Sequence, residues 1–538
     1  MLSNLKKDKL INSICVLLLL AVLYGLLGPL ELYASSYFDF NFSLWTVLAV
    51  TGSATLVGLI VGTLILYLLP DRISKLLRKT VLIVGVVSYI QYLFLNRQLA
   101  RDDGNYMDWD AMKSTIIINT AIWIVLISVM VLILIKLKNK WEQIGNYVSI
   151  FLIIIQIVAI VSILITTPKG SNDTYHLSAK NEYTVASDGN IIILILDSYG
   201  NKQLDATVRQ NPGLLDSLKD FTYYSNCDSQ YDRTYPTVTS MITGIPFDFD
   251  SDNPKRYTTK AWTSDKANSF FDVLNKEGWG FEVYAVNSGC NYGDLECNQD
   301  KVNNAVFVEG EIHWKRVLVH FTKASIYKMA PYIIKPLFEE ITENYRDINT
   351  YPDSFDDHLP HLTRVLNEEG IRVLDEQNKR ITILHTFGAH DAKTPADIEE
   401  VHKYVDLYLD NLKQIGKYED ATIIITADHG MMWSFEGSDP QPIFFIKRPG
   451  ECSDKVRISN APISEGDFQG TIMELIGVDT EEFGTSIFDW KDNETRERTV
   501  YFNNSENTYY GYTYYKDREE LLEKYQREPS VIATYEND

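Results

Sequence analysis

The distal two thirds of this chain are short of positive charge relative to negative. Residues 1–170 hold 14 Lys and Arg against 9 Asp and Glu; of the whole-chain totals of 50 and 72, that leaves 36 basic against 63 acidic residues from 171 onward. Such a domain is excluded as a nucleic-acid binder, because phosphate backbones need a basic footprint. Long-range attraction cannot hold an anionic polymer either, so a local basic pocket or a metal would have to do so. Internal repeats and low-complexity tracts are absent. Cysteines number only five. Cys15 sits inside an apolar run, while Cys227, Cys290, Cys297 and Cys452 fall in the acidic part. Cys290 and Cys297 bracket a polar loop that a local disulfide would suit in an oxidising compartment. Four reduced thiols are the other reading, and four cysteines allow three full pairings.

Long apolar runs are plentiful, at about 11–32, 44–69, 80–96, 115–136 and 146–166. Each approaches or exceeds the ~20 residues that cross a bilayer, the third being the shortest. The expectation is an all-α membrane domain of five transmembrane helices over 1–167. Basic residues cluster before the first run and in loops 70–79 and 136–145, whereas loop 33–43 has none. Positive loops stay inside, so the N-terminus is expected in the cytoplasm and everything after 167 outside. Residues 168–189 read as a polar linker.

From 190 onward, strand-like runs at 191–196, 221–225, 280–285, 380–385, 421–426 and 442–446 alternate with helical stretches near 203–219, 266–277 and 396–415. This alternation predicts an α/β domain with a mostly parallel central sheet covered on both faces, over 190–495. The tyrosine-rich 496–538 is expected to add an edge hairpin and a helix packed on that domain.

Two of the apolar strands end in chemistry: IIILILDSYG (191–200) delivers Asp197, and IIITADHG (423–430) delivers Asp428 and His429. Open α/β sheets place their sites at such C-terminal strand ends. TYPTVTSMITG (234–244) lies between them, and its 237–243 stretch reads as a helix with Thr234 just before the N-terminus, where the dipole favours anions. A threonine hydroxyl needs a metal or a base to become a nucleophile. A divalent ion held by Asp197, Asp428 and His429 would bind and activate Thr234. A lone threonine there would be a helix cap; the accompanying strand-Asp and Asp-His segments favour the nucleophile. A further strand, ITILHTFGAHD (381–391), brings His385, a candidate substrate contact or a buried strand-end histidine, and His390, on a loop, a candidate proton donor. Arg233 is a candidate for holding phosphate oxygens, or a solvated loop arginine. One segment departs from the acidity of its surroundings: HWKRVLVHFTKASIYKMAPYIIKPLFEEIT (313–342) is basic and aromatic, with Pro331 and Pro336 expected to break it into short helices. It is read as facing an anionic membrane, or as a helix packed on the domain's own sheet.

With these segments together, the chain resembles the alkaline phosphatase superfamily. The resemblance is to the sulfatase-like branch, which includes lipoteichoic acid synthases and phosphoethanolamine transferases. TYPTVTSMITG is similar to the sulfatase nucleophile motif, HTFGAH to the H-x-x-G-S-H of the phosphoethanolamine transferases, and TADHG to the metal-binding Asp-His of the transferases. SFFDVLNKEGWGFEVY (269–284) and PISEGDFQGTIMELIG (462–477) also look like landmarks of the branch. The resemblance implies a membrane transferase that moves phosphoglycerol or phosphoethanolamine from a phospholipid donor to a glycan or glycolipid acceptor through a Thr234-linked intermediate. A phosphate or sulfate ester hydrolase is the alternative, and a non-catalytic lipid-sensing protein a second one. Thr234 cannot become formylglycine and Val238 replaces the motif arginine, which counts against sulfate chemistry. No histidine follows His429, so the late histidine of two-zinc relatives is missing and one firmly held ion is expected. Three oxygen ligands (Asp197, Thr234, Asp428) and one nitrogen (His429) favour Mn²⁺ or Zn²⁺, with Mg²⁺ also admissible.

Overall fold

The structure, a computed structural model, describes all residues except 1, 38–39, 41, 97–106, 108, 110, 171–172, 248, 250–253, 287–291, 293–297, 341–344, 346–347, 352, 375–377, 432–438, 480, 504–507, 526–529 and 535–538. The chain divides into two compact units, one of residues 1–174 with 309–351, the other of residues 175–308 with 352–538. This corrects the expected boundaries: the basic segment near 313–342 groups with the N-terminal helices and not with the α/β domain.

The first unit is built on α1 (Leu2–Val22, continued through a π-turn), α2 (Gly28–Ser35), α3 (Leu44–Leu68), α4 (Asp71–Ile90), α5 (Lys113–Lys136) and α6 (Trp141–Thr166). Among the described residues four stretches are long and apolar enough to cross a membrane: Lys7–Ser35, Leu44–Leu68, Lys113–Lys136 and Trp141–Thr166. The expected third span differs. Its helix begins at Asp71 and takes Arg72, Lys75, Arg78 and Lys79 into its first turns, leaving roughly 24 Å of apolar helix at 1.5 Å per residue. Even so, α4 runs alongside α1 in the same direction. Lys9 pairs with Asp71 at 3.2 Å near one end, and the Tyr24 and Ser88 hydroxyls share a hydrogen bond of 2.8 Å toward the other. Where α1, α4 and α6 meet, buried Arg78 donates to Asn12 Oδ1 at 2.9 Å and lies 3.2 Å from Glu142.

The second unit is organised by a seven-stranded sheet of β1 (Gly189–Leu196), β2 (Thr222–Tyr224), β3 (Trp279–Tyr284), β4 (Lys379–Thr386), β5 (Thr422–Thr426), β6 (Phe444–Lys447) and β7 (Arg457–Ser459), in the order β7-β2-β6-β5-β1-β4-β3. Only β6 opposes the rest. The period of two along β1 sends Ile192, Leu194 and Leu196 into one buried cluster and Ile191, Ile193 and Ile195 into another. Both faces are therefore covered, as a continuous apolar parallel strand requires. The helix expected near 203–219 stops at Gln210, where Asn211-Pro212-Gly213 cannot continue it. The 168–189 stretch carries short strands of its own, Asp173–Leu177 and Thr184–Ala186. Instead of an edge hairpin, the C-terminal residues form a separate three-stranded antiparallel sheet, Arg498–Asn503, Thr508–Tyr514 and Ser530–Thr534. It is tied down through Asp228, which accepts from the Tyr514 hydroxyl at 3.0 Å and faces buried Arg498 at 3.6 Å. Cys227 is buried and Cys452 exposed, neither in a disulfide; Cys290 and Cys297 lie outside the described residues.

Candidate active site

Strand register creates the site. In the parallel pair β5–β1, Thr426 stands opposite Ile195, so Asp428 and Asp197 each emerge two residues beyond the same rung. In the pair β4–β1, His385 stands opposite the same Ile195. Three adjacent strands thus present Asp428, Asp197 and His385 at their C-terminal ends, and His429 follows Asp428. Potential ligand atoms of Asp197, Asp428 and His429 lie within 4.8 Å of one another. His429 Nε2 is 3.4 Å from Asp428 Oδ2 and 3.8 Å from Asp197 Oδ1, and His385 Nε2 is 3.9 Å from Asp428 Oδ2.

Thr234 comes from a different layer. It is the first residue of the helix Thr234–Thr243, with Arg233 as an extended N-cap and Gly244 closing the other end at φ +67°. Val238, Met241 and Ile242 bury one side of this helix. The Thr234 hydroxyl acts on the Asp428 carboxyl and lowers its pKa, so the nucleophile candidate faces the cluster from the helix N-terminus.

Two backbone devices hold Asp197. Ser198 has φ +61°, a strained conformation for a residue with a Cβ. There its N–H donates to Asp428 Oδ1 at 3.1 Å and its hydroxyl to Asp197 Oδ1 at 2.8 Å. Gly388, at φ +50°, passes so close that a Cβ would come within 2.4 Å of the Asp197 nitrogen, and the adjacent Ala389 N–H donates to the Asp197 carbonyl at 2.9 Å.

The electrostatics are those of a site built for a cation. Burial, then the neighbouring Asp428, pushes the Asp197 carboxyl well up. Burial would raise Asp428 too, but the His429 and His385 imidazoles and the Thr234 hydroxyl bring it down to about 2. His429 is raised: burial works against its charge, and Asp428 and Asp197 outweigh it. Burial lowers His385. Asp428 Oδ2 is buried without a hydrogen-bond partner, which is costly for a carboxylate. His429 Nδ1 is 2.8 Å from the Gly430 carbonyl, which directs Nε2 toward both carboxylates. Tetrahedral ligands at ~2.0–2.2 Å from an ion stand roughly 3.3–3.6 Å apart, close to the separations found here. The residues fit a divalent ion.

The other sequence candidates are placed differently. His390 is exposed on its loop, with Nδ1 3.4 Å from Asp391 and its ring 4.9 Å from Phe387. Arg233 contributes its carbonyl to Thr237 Oγ1 at 2.9 Å. Among the described residues, neither His390 nor the Arg233 guanidinium makes a hydrogen bond or ion pair with the cluster. Sequence reasoning missed four neighbours. Tyr292 hydrogen-bonds His385 Nδ1 at 2.6 Å. Asp357 acts on the charge of His385 and, with Asp356 and His358, forms a second group of metal-ligating type; the His358 ring stacks on Phe387 at 5.3 Å. Ser198 joins the two carboxylates. Glu465 is buried, takes the Thr426 hydroxyl at 3.2 Å on Oε1 and leaves Oε2 without a partner; burial and then Asp428 push it well up. In sequence these residues look like helix caps and turn residues, and only their neighbours reveal them.

Comparison with known proteins adds one family and several folds. The family described as Type I phosphodiesterase / nucleotide pyrophosphatase matches residues 382–445, the stretch that carries His385, His390, Asp428 and His429. The match supports an enzyme acting on phosphoesters. No curated protein sequence matches the chain. Similar solved structures include the lipoteichoic acid synthase LtaP from Listeria monocytogenes, at 15% identity over 65% of this chain and 95% of that one, with a TM-score of 0.35. Another is the C-terminal periplasmic domain of EcEptC from Escherichia coli, at 10% identity over 62% and 92%, with a TM-score of 0.32. A third is the phosphonate monoester hydrolase SpPMH from Silicibacter pomeroyi, at 13% identity over 62% and 87%, with a TM-score of 0.35. The family match thus falls on the stretch that holds two of the motifs, HTFGAH and TADHG.

Proposed function

We propose that this protein is a membrane-anchored, metal-dependent transferase that moves a phosphoglycerol or phosphoethanolamine group from a phospholipid to a cell-envelope glycan or glycolipid. The observation that carries the reading is the gathering of Asp197, Asp428 and His429 around a buried, unpartnered carboxylate oxygen, with the Thr234 hydroxyl acting on Asp428. Asp197, Asp428, His429 and Thr234 would hold one divalent ion, Mn²⁺ or Zn²⁺ before Mg²⁺. When bound, the ion supplies charge stabilisation for the transferred phosphate and lowers the cost of ionising the hydroxyl.

The chain's own residues do the rest. The Thr234 oxygen attacks phosphorus and forms a Thr–O–P bond as the bond to the diacylglycerol oxygen breaks. The proton lost by Thr234 passes to water, while His390 on the outer loop, in its imidazolium form, gives a proton to the leaving oxygen and regains one from water, with His385 contacting the transferred group. An acceptor hydroxyl then attacks the same phosphorus, takes the headgroup and returns Thr234 to its hydroxyl form. The helix N-terminus at Thr234 favours the anion throughout.

The anchor's orientation has support in the first unit. Leu44 and Lys169 share a backbone hydrogen bond of 2.8 Å, so residue 169 leaves beside the end of α2, whereas Lys9 and Asp71 mark the opposite, basic end. In this proposal α4 is counted as a fifth traversal, the basic end lies in the cytoplasm by the positive-inside rule, and the catalytic unit lies outside. A second reading, hydrolysis with water in the acceptor's place, draws on the hydrolytic description of the matching family.

Incubating membranes with a phospholipid labelled in its headgroup tests both. Label on a glycan or glycolipid, together with a headgroup-modified Thr234 peptide by mass spectrometry, is the expected result. Label released only as free headgroup would establish the hydrolase, and no turnover with metal bound would overturn the enzyme reading.

A further inference from the structure

The basic segment after residue 309 behaves as part of the apolar unit. The helix Trp314–Met329 buries Val317, Phe321, Ala324, Ser325 and Met329 against the ends of the apolar helices. Phe321 lies 5.1 Å from Phe40, and Ser325 donates to the Tyr24 carbonyl at 2.7 Å. A Cβ on Gly28 would come within 2.2 Å of Ser325 Oγ. Asn96 Nδ2 donates to the Lys328 carbonyl at 2.8 Å and the Tyr332 N–H to Asn119 at 3.0 Å. All these partners lie at the end of the bundle away from Lys9 and Asp71.

The charge of the segment is mostly spent internally. Lys323 pairs with Glu340 at 2.7 Å, and Lys328 lies 3.8 Å from Glu31. Lys335 is buried between the Tyr327 and Tyr332 rings at 5.0 and 5.2 Å. Lys315 stays exposed, beside an outward set of large apolar side chains: Trp314 is 55% exposed, Val319 42%, Ile333 60% and Leu337 74%. Such a set is expensive in water. Its chemistry, an aromatic ring and aliphatic groups beside the Lys315 ammonium, is that of an interfacial segment.

We infer that the helix Trp314–Met329 and the turn after it lie in the headgroup layer of an anionic bilayer, with Trp314, Val319, Ile333 and Leu337 inserted and Lys315 against lipid phosphates. This rests on reading the apolar helices as membrane spans. Continuity argues for lipid and not a protein partner, because the segment is fixed to helices whose own outer faces are apolar, such as Leu132 at 59% exposure.

The test uses the full-length protein in nanodiscs containing bromine-labelled phosphatidylglycerol. An environment-sensitive fluorescent amino acid is placed singly at Leu337, at Ile333, at Leu132 in α5, and at Ile458, an exposed site of the α/β unit (71% exposed). Quenching at 333 and 337 should reach about half or more of that at 132, as depth in the interface predicts, and Ile458 should stay near background. In the Lys315→Gln variant, quenching at 337 should lose part of its preference for phosphatidylglycerol over phosphatidylcholine discs. Quenching at 337 no greater than at 458, with 132 quenched, overturns the inference and leaves the spans standing. Loss of quenching at 132 as well overturns both.

Discussion

The two units solve burial in opposite senses. In the first, Leu68, Ile117, Val158 and Ile165 face outward while Asn12, Arg78, Gln91 and Asn119 are buried. In the second, β1 and β5 bury their isoleucines, and the large apolar groups left exposed are few, Ile458 and Phe307 among them. Each is what its solvent rewards: lipid places no penalty on an exposed isoleucine, and water does. The comparison also separates two kinds of buried polar group. Arg78 is held by Asn12 and Glu142. Asp428 keeps one oxygen without a partner and crowds against Asp197. The first arrangement is closed, and the second waits for a ligand.

The largest expected effects fall on that open arrangement. Thr234→Ala should cost activity by about 10³-fold or more, as loss of a nucleophile does, with metal content retained. Asp428→Asn should lose both metal and activity. Turnover measured beside elemental analysis separates the two, and near-normal turnover in Thr234→Ala would sink the nucleophile assignment. Next come the histidines. His390→Ala should slow turnover by about 10²–10⁴-fold, the range of a general acid, without loss of metal. His385→Ala should do less if its part is only to shape the site; an equal loss with bound metal reduced would make it a ligand.

The contrast between the two surfaces predicts unlike responses to one substitution. Ile124→Lys, at the middle of α5 where Ile124 is 60% exposed, should hinder insertion of α5 by about 2.5–3.5 kcal/mol, read as the fraction inserted in a membrane-integration assay. Ile458→Lys should change stability by less than about 0.5 kcal/mol, read from thermal unfolding of the α/β unit's signal. Equal tolerance at both positions would break the comparison.

A further effect is pH-dependent. His402, buried with Tyr199 on its Nε2 at 2.9 Å, is held down to about 4 by burial from a usual 6.5. The unfolded chain therefore takes up a proton that the folded one refuses. Folding pays no penalty above pH ~6.5, and stability falls as pH drops from there toward ~4, by about 3 kcal/mol at most. His402→Gln should flatten this slope in melting temperatures taken from pH 7 to 4, and an unchanged slope would assign the acid sensitivity elsewhere.

Much of the site could be read from single segments. Asp197, Asp428 and His429 announce themselves because an isoleucine run ending in acid or imidazole has few other uses, and Thr234 because a short helix closed by Gly244 follows it. His390 and Arg233 share motifs with these residues, but motif membership does not bring a side chain inward. Ser198, Tyr292, Asp357 and Glu465 carried no signal, since each acts through a neighbour distant in sequence. The basic stretch after 309 could be seen as unusual, and its partner could not.

By itself the sequence determined which segments become apolar helices, which become buried strands, and where those strands end in reactive groups. All of that follows from local periodicity, composition and the conformational limits of proline and glycine. Only the tertiary structure decided that β1 lies between β4 and β5 in a register that aligns Asp197, His385 and Asp428, and that the helix Trp314–Met329 joins the apolar helices. The physical reason is that an apolar face specifies burial but not its partner. The choice among partners hundreds of residues away rests on packing shape and paired polar groups, such as Phe321 against Phe40 and Ser325 on the Tyr24 carbonyl, and exists only once the chain has folded.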